Sequence, residues 1–363
     1  MRTDSGSRHA LVVGASLAGL MTALTLSRVG VAVSLLERSA DTGRTGAALQ
    51  PGSTLLQRLT GQNGVPELDG NRIQTWTAVH AHLRAAVERD PKITIHDGVG
   101  VEHIGQDADV AWAKAEDGRC FTGDLLIGAD GYRSIVRQAV VPGKPDARFA
   151  GYVIWIGISR ESDLQCTAPW PTGTLYDEAC NYILLGSPIP AEDGTLRRGD
   201  RRLSWAMYDN SRNDLLRSHG AVVGDVVKRT LLPKDLPDEL FTSFRREAGH
   251  WAEPWRSAIL DCVERRAIIG TPIAEYLPDQ LVNGRLCLVG DAAHVPTPMT
   301  GNGFAASRDD AIALSEQLGE HVDFRKALGA YEAARLPIVR RLVQSGQQFS
   351  RGYAHNELSA VTA

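Results

Sequence analysis

Residues 10–37 read ALVVGASLAGLMTALTLSRVGVAVSLLE, and this stretch decides the fold. Ala10 to Val13 is an unbroken apolar run, as expected of a strand covered on both faces. Gly14 stops it. From residue 17 to 29, Leu17, Leu20, Met21, Leu24 and Leu26 recur at helical spacing. Gly30 ends that helix, and Val31 to Leu36 forms a second apolar strand closing on Glu37. Strand, helix and strand in so short a span make one unit of a parallel sheet.

The turn inside this unit, GASLAG at 14–19, has the composition of a dinucleotide loop. In such a loop the first glycine makes the tight turn, the middle one admits a diphosphate, and the third lets helix and strand pack closely. Ser16 stands at the middle position and is small enough to keep that approach open. The helix start, Leu17 and Ala18, offers backbone amides and a positive dipole end to a diphosphate. Glu37, with Arg38 beside it, ends the second strand, where a carboxylate can accept both hydroxyls of a ribose. Gly14, Ser16, Leu17, Ala18, Gly19, Glu37 and Arg38 are therefore expected to bind an adenine dinucleotide. The plainer alternative is a strand–turn–helix whose glycines serve packing alone.

Farther along, a helix is expected over 78–89, with strands at 93–96, 98–104, 108–115 and 124–128. Beyond residue 150 the texture changes. Segments 151–160, 173–187 and 202–209 are rich in aromatic and β-branched residues without helical period, which predicts a largely antiparallel sheet. Helical texture returns over 210–262. A strand at 285–289 and helices over 303–320 and 324–350 complete the chain. The expected fold class is α/β: a Rossmann-like parallel-sheet domain, residues 1–150 and 263–363, with an antiparallel substrate domain, 151–262, inserted, and C-terminal helices. The run Arg197, Arg198, Asp200, Arg201, Arg202 reads as a solvated turn.

Two further motifs sit after strands. GADGYRSIVR at 128–137 brings Asp130 to the carboxyl edge of the sheet, with Ser134 and Arg137 one turn apart. Read without context, Asp130 would simply cap the following helix. GDAAHVPTPMTGNGFAAS at 290–307 brings Asp291 to the same edge, then two prolines, then Gly301, Asn302 and Gly303 opening a helix. A carboxylate can hold a polyol, and a glycine-rich helix start favours a ring that turns anionic on reduction. His294 fits loop packing better than catalysis.

The three motifs, in this order and spacing, resemble the flavoprotein monooxygenases of the para-hydroxybenzoate hydroxylase fold, single-component aromatic hydroxylases that bind FAD. The resemblance spans nearly the whole chain. Within it, AGYVIWIG at 150–157, SPIP at 187–190 and ALQP at 48–51 are most similar to the 2,6-dihydroxypyridine 3-hydroxylases. It implies non-covalent FAD, with Asp291 at the ribityl or diphosphate region and Pro298 beside the isoalloxazine. Gly301, Asn302 and Gly303 would face the pyrimidine edge, and Asp130 would serve both flavin and nicotinamide. NADH or NADPH would bind transiently, dioxygen would give a flavin hydroperoxide, and one oxygen atom would pass to a small aromatic or N-heterocyclic substrate. The chain departs from the family at Ser16, at Trp76 where many members carry arginine, and in the short stretch from Pro51 to Trp76. That stretch implies an open active site or one closed by a second copy in a homodimer.

Tyr152, Trp155, Tyr182, Trp205 and Tyr208, with Pro298, are the expected substrate contacts, and no general base is assignable. A nucleophilic flavin peroxide acting on ketones or imines is the rival chemistry, and a non-catalytic dinucleotide-binding protein is the rival of another class. A halogenase is disfavoured, since no W-x-W-x-I-P stretch occurs.

Composition bounds the rest. The chain has 363 residues, net charge −4, and 43% hydrophobic and 23% charged residues. It carries no basic footprint for nucleic acid. Its five cysteines show no metal or C-x-x-C spacing and read as reduced buried thiols of a cytoplasmic protein. Met1 to His9 is polar, unlike a signal peptide, and no membrane association is expected.

Overall fold

The computed structural model describes residues 8–39, 48–69 and 72–355. It opens with His9–Val13 (β1), Leu17–Arg28 (α1) and Ala32–Glu37 (β2). Ala48–Leu49 (β3), Leu55–Thr60 (α2) and Gln74–Thr75 (β4) are short. Trp76–Glu88 (α3) starts where the Thr75 hydroxyl accepts from the Ala78 amide. Then come Ile93–Asp97 (β5), Val101–Gln106 (β6), Ala111–Ala115 (β7), Cys120–Gly123 (β8), Leu125–Gly128 (β9) and Ile135–Val140 (α4). Arg148–Arg160 (β10), Leu175–Ala179 (β11), Tyr182–Ile189 (β12) and Arg202–Asp209 (β13) are the long strands of the middle. Asn213–Ser218 (α5), Val222–Val223 (β14), Val226–Val227 (β15), Asp238–Glu247 (α6) and Trp255–Glu264 (α7) follow. Ile269–Glu275 (β16), Val282–Asn283 (β17), Leu286–Leu288 (β18), Gly303–Glu320 (α8) and Phe324–Ala354 (α9) complete it.

The first sheet has the order β17-β18-β9-β1-β2-β5 and is parallel except for β17. Its central strands are apolar throughout because α1 packs on β1 and β2 and the β6–β8 sheet on β1 and β9, leaving Ala10, Leu11, Leu125 and Leu126 fully buried. The second sheet runs β11-β12-β13-β10-β15-β14, with β16 also paired to β10, and is antiparallel. Thus the α/β class with an antiparallel second sheet and C-terminal helices is what the chain adopts.

Two expectations need correction. The stretch 210–262 is not helical throughout: β14 and β15 form a hairpin at 222–227. The second sheet also takes in β16, whose Glu275 and Ala274 pair with Arg148 and Phe149, all outside 151–262. A seven-residue strand adjoining a helix carries too little periodicity to be separated from it.

Candidate active site

Register places the three motifs side by side. Val13 of β1 pairs with Gly128 of β9, and Leu288 of β18 pairs with the same Gly128 on its other side. All three strands are parallel, so GASLAG, GADG and GDAAH leave the sheet at one carboxyl edge. That edge is where open α/β sheets bind ligands.

In the first loop the glycines are sterically required. Gly14 has φ +101°, and a Cβ there would lie 2.6 Å from the Ala129 carbonyl oxygen. A Cβ on Gly19 would lie 1.8 Å from the Gly14 carbonyl oxygen, so helix and turn touch through backbone. Ser16 is the N-cap of α1 in extended backbone, and its hydroxyl makes no capping bond. The first amides of α1 have no carbonyl one turn back. Glu37 closes the loop: its Oε2 accepts from the Ala15 amide at 2.6 Å and its Oε1 from the Ser39 amide at 2.8 Å. Arg38 is exposed. Behind the loop His80 Nε2 lies 2.9 Å from the Ala15 carbonyl oxygen, and Trp76 stacks on His80 with centroids 4.7 Å apart. Trp76, one of the departures from the family pattern, is thus a stacked aromatic.

In the second loop Asp130 does cap the next helix, its Oδ2 accepting from the amides of Ile135 at 2.8 Å and Val136 at 3.3 Å. Its Oδ1 is buried without a partner. Burial raises this carboxyl above the ordinary range despite those bonds. Arg137, fully buried, ties the second loop to the third. It donates to the carbonyls of Pro145 (2.7 Å), Ala292 (3.1 Å), Asp291 (3.3 Å) and Tyr132, and its guanidinium lies 4.3 Å from the centroid of the Tyr276 ring.

In the third loop the Asp291 side chain is exposed at the edge. His294 is fully buried, its Nε2 2.7 Å from Asp310 Oδ2. Asp310 also accepts from Arg335 Nε at 2.7 Å and the Gly290 amide at 3.0 Å. Burial opposes ionisation of Asp310, but His294 and Arg335 hold its carboxyl below the usual range. His294 is therefore a loop anchor. Sequence reading missed Asp310 and Arg335, although an aspartate on the apolar face shared by Ala306, Ala311 and Leu314 was a signal. Past the loop, Pro298–Thr300 forms a 3-10 turn and Gly301 adopts φ +64°. A Cβ on Gly301 would meet nothing within 4 Å, and one on Gly303 only Pro296 Cγ at 3.9 Å. Gly301 to Gly303 is an open shelf at the start of α8. An open glycine shelf, an orphaned Asp130 oxygen, an exposed Asp291 and a Glu37 carboxylate at the end of β2 fit a flavin adenine dinucleotide.

The aromatic candidates divide between the two faces of the second sheet. Tyr152 and Tyr208 share a face with Ile154 and Ile183, against Met299 of the 298–300 turn and Phe349 and Tyr353 of α9. They stack on one another at 5.8 Å, and Tyr353 meets Tyr152 edge-on at 5.3 Å. Trp155, Tyr182 and Trp205 lie on the opposite face, so the structure does not bring the five aromatic candidates together. Alternation along a strand sends them there. Trp155 Nε1 donates to Asp209 at 2.7 Å, Tyr182 donates to Glu247 at 3.1 Å, and the Trp205 ring fills the notch over Gly157. Two smaller readings also change. Arg201 is a buried partner of Glu161 at 2.7 Å, not a solvated residue, and Cys120 and Cys180 are exposed thiols. No helix among the described residues is long and apolar enough to cross a membrane.

Comparison with known proteins agrees with this geometry. A family model described as an FAD binding domain matches residues 8–58 and 263–346. The chain is 26% identical to 3-hydroxybenzoate 6-hydroxylase of Klebsiella oxytoca, over 95% of this chain and 88% of that one. It is 27% identical to 2,6-dihydroxypyridine 3-monooxygenase of Paenarthrobacter nicotinovorans, over 90% and 86% respectively. The solved 2,6-dihydroxypyridine-3-hydroxylase from Arthrobacter nicotinovorans superposes with a TM-score of 0.78 at 23% identity, covering 97% of this chain and 94% of that one. Residues 8–58 and 263–346 thus match an FAD binding domain, and the proteins this chain is similar to include 2,6-dihydroxypyridine 3-hydroxylase and other FAD-dependent aromatic hydroxylases.

Proposed function

We propose that this protein is an FAD-dependent monooxygenase that uses NADH or NADPH and dioxygen to place one oxygen atom in a small aromatic or N-heterocyclic substrate. The observation that carries the reading is the exit of three loops from β1, β9 and β18 at one sheet edge, beside an open glycine shelf. Bound FAD supplies the hydride acceptor and the activation of dioxygen. Glu37 holds the adenosine ribose, the first amides of α1 hold the diphosphate, and Asp291 holds the ribityl end. Pro298 and Gly301 to Gly303 carry the isoalloxazine, and the Asp130 segment serves both flavin and nicotinamide. In this reading residues 1–150 and 263–363 bind the cofactor, and the sheet built mainly from 151–262 covers the substrate.

Tyr152 and Tyr208 are fully buried against Phe349 and Tyr353, so in this reading they back the substrate site rather than touch the ring. Burial pushes the Tyr152 hydroxyl up to about 12, so it stays neutral and donates or accepts without ionising. The packed cluster around these tyrosines keeps water from that side of the site. A hydroxylated ring supplies the nucleophilic carbon that electrophilic oxygen transfer requires. The test is incubation with reduced nicotinamide and oxygen-18 gas over a panel of phenols, pyridinols, ketones and cyclic imines. Label in a new ring hydroxyl, matched by nicotinamide consumption, is expected. Label only in ketone or imine products would overturn this reading in favour of nucleophilic oxygen transfer.

A further inference from the structure

A line of buried polar groups runs from the second sheet to the base of the shelf. Ser350 Oγ of α9 donates to Glu275 Oε1 of β16 at 2.6 Å. The Tyr152 hydroxyl lies 3.4 Å from Ser350 Oγ and is hydrogen-bonded to Thr297 Oγ1. Thr297 immediately precedes Pro298, and its carbonyl accepts from the Thr300 amide at 3.1 Å and the Thr300 hydroxyl at 2.9 Å. The turn beneath the shelf therefore hangs on Thr297. All four groups are buried, Glu275 the least so at 8% exposure.

A hydroxyl donates once and accepts, whereas an ionised carboxylate only accepts. With Glu275 ionised, Ser350 donates to Glu275, Tyr152 turns its proton toward Ser350, and Thr297 donates to Tyr152. Every O–H then points away from the shelf. A proton taken from solvent by Glu275 makes that carboxyl a donor, and the line can reverse, releasing the Thr297 proton from its bond to Tyr152. Only O–H bonds change in this step.

We propose that Glu275 is a positioning residue of the cofactor shelf: through Ser350 and Tyr152, its protonation state sets whether the Thr297 hydroxyl accepts or donates beside Pro298. The proposal rests on the reading of 298–303 as the flavin shelf. The charged and titratable groups facing Glu275 are few. Arg351 of α9 favours its ionised form, and Tyr152 of β10 is neutral. Arg148, opposite Glu275 in register, is engaged by Asp225. Burial outweighs Arg351 and the Ser350 bond, so the carboxyl is raised and titrates closer to neutrality than an exposed one.

Infrared difference spectra of the purified full chain, recorded as pH is lowered, test the line directly. A buried protonated-carboxyl band is expected in the wild type, absent in Glu275→Gln, and displaced in Tyr152→Phe and Thr297→Val. Ser350→Ala supplies the same comparison should Tyr152→Phe not fold. The visible spectrum of bound FAD should shift with the same midpoint in the wild type and show no such step in Glu275→Gln. A Glu275 band unmoved by Tyr152→Phe, Thr297→Val and Ser350→Ala, or a flavin spectrum that titrates identically in Glu275→Gln, overturns the proposal. A protein that binds no FAD overturns the functional reading instead, and the infrared comparison still decides the line.

Discussion

The Arg137 guanidinium donates to the Ala292 carbonyl at 3.1 Å, joining the loop after β9 to the loop after β18. Burial disfavours the charge on Arg137. It is retained because four carbonyls and the Tyr276 ring receive it. Replacing it with methionine leaves those carbonyls buried and unpaired, at about 1–3 kcal/mol for each that water cannot reach. Arg137→Met should therefore lower the urea midpoint substantially and weaken FAD retention together. A stability change below about 1 kcal/mol would show that the two loops hold without it.

Glu37→Ala should weaken FAD binding roughly 10–100-fold, since a charge-assisted hydrogen bond is worth about 1.5–3 kcal/mol. The structure adds a second contribution, because the same carboxylate holds the Ala15 amide of the loop. Fluorescence titration with FAD measures the loss. Unchanged affinity would place the ribose elsewhere.

Gly303→Val and Gly19→Ala should fail in different ways. A side chain at Gly303 enters open space, so the variant should fold with stability near wild type yet not accept FAD. A single methyl at Gly19 collides with the Gly14 backbone, so that variant should lose stability before any cofactor is added. Thermal melts without FAD, followed by FAD titration, separate the outcomes. Normal FAD content in Gly303→Val would mean that the shelf is only a helix start.

Asp310 links pH to stability. Its carboxyl is depressed in the folded protein, so its contribution is present above the ordinary carboxylate range and is lost as pH falls through the lower folded value. Asp310→Asn leaves His294 and Arg335 without their shared anion, and breaking a buried pair in this way costs about 3–5 kcal/mol. Urea unfolding across acidic pH should show the variant destabilised at neutrality, with the difference from wild type shrinking toward low pH. Equal stability at neutrality would remove Asp310 as the anchor of the 290–294 loop.

By itself the sequence determined the strand–helix–strand unit at 9–37, the arrival of Asp130 and Asp291 after apolar strands, and the alternation of residues along β10. Each of these depends on residues close in the chain, where backbone period and glycine sterics act without help from the rest of the fold. Tertiary structure decided which face of β10 looks toward α9. Both faces are apolar and buried, so alternation separates Tyr152 from Trp155 without saying which one meets the shelf. It also decided the pairing of β16 with β10, the His294–Asp310–Arg335 cluster, and the line from Glu275 to Thr297. Those partners lie far apart in sequence, and a buried polar group acquires its partner only when packing removes water and leaves that partner as its only source of hydrogen bonds.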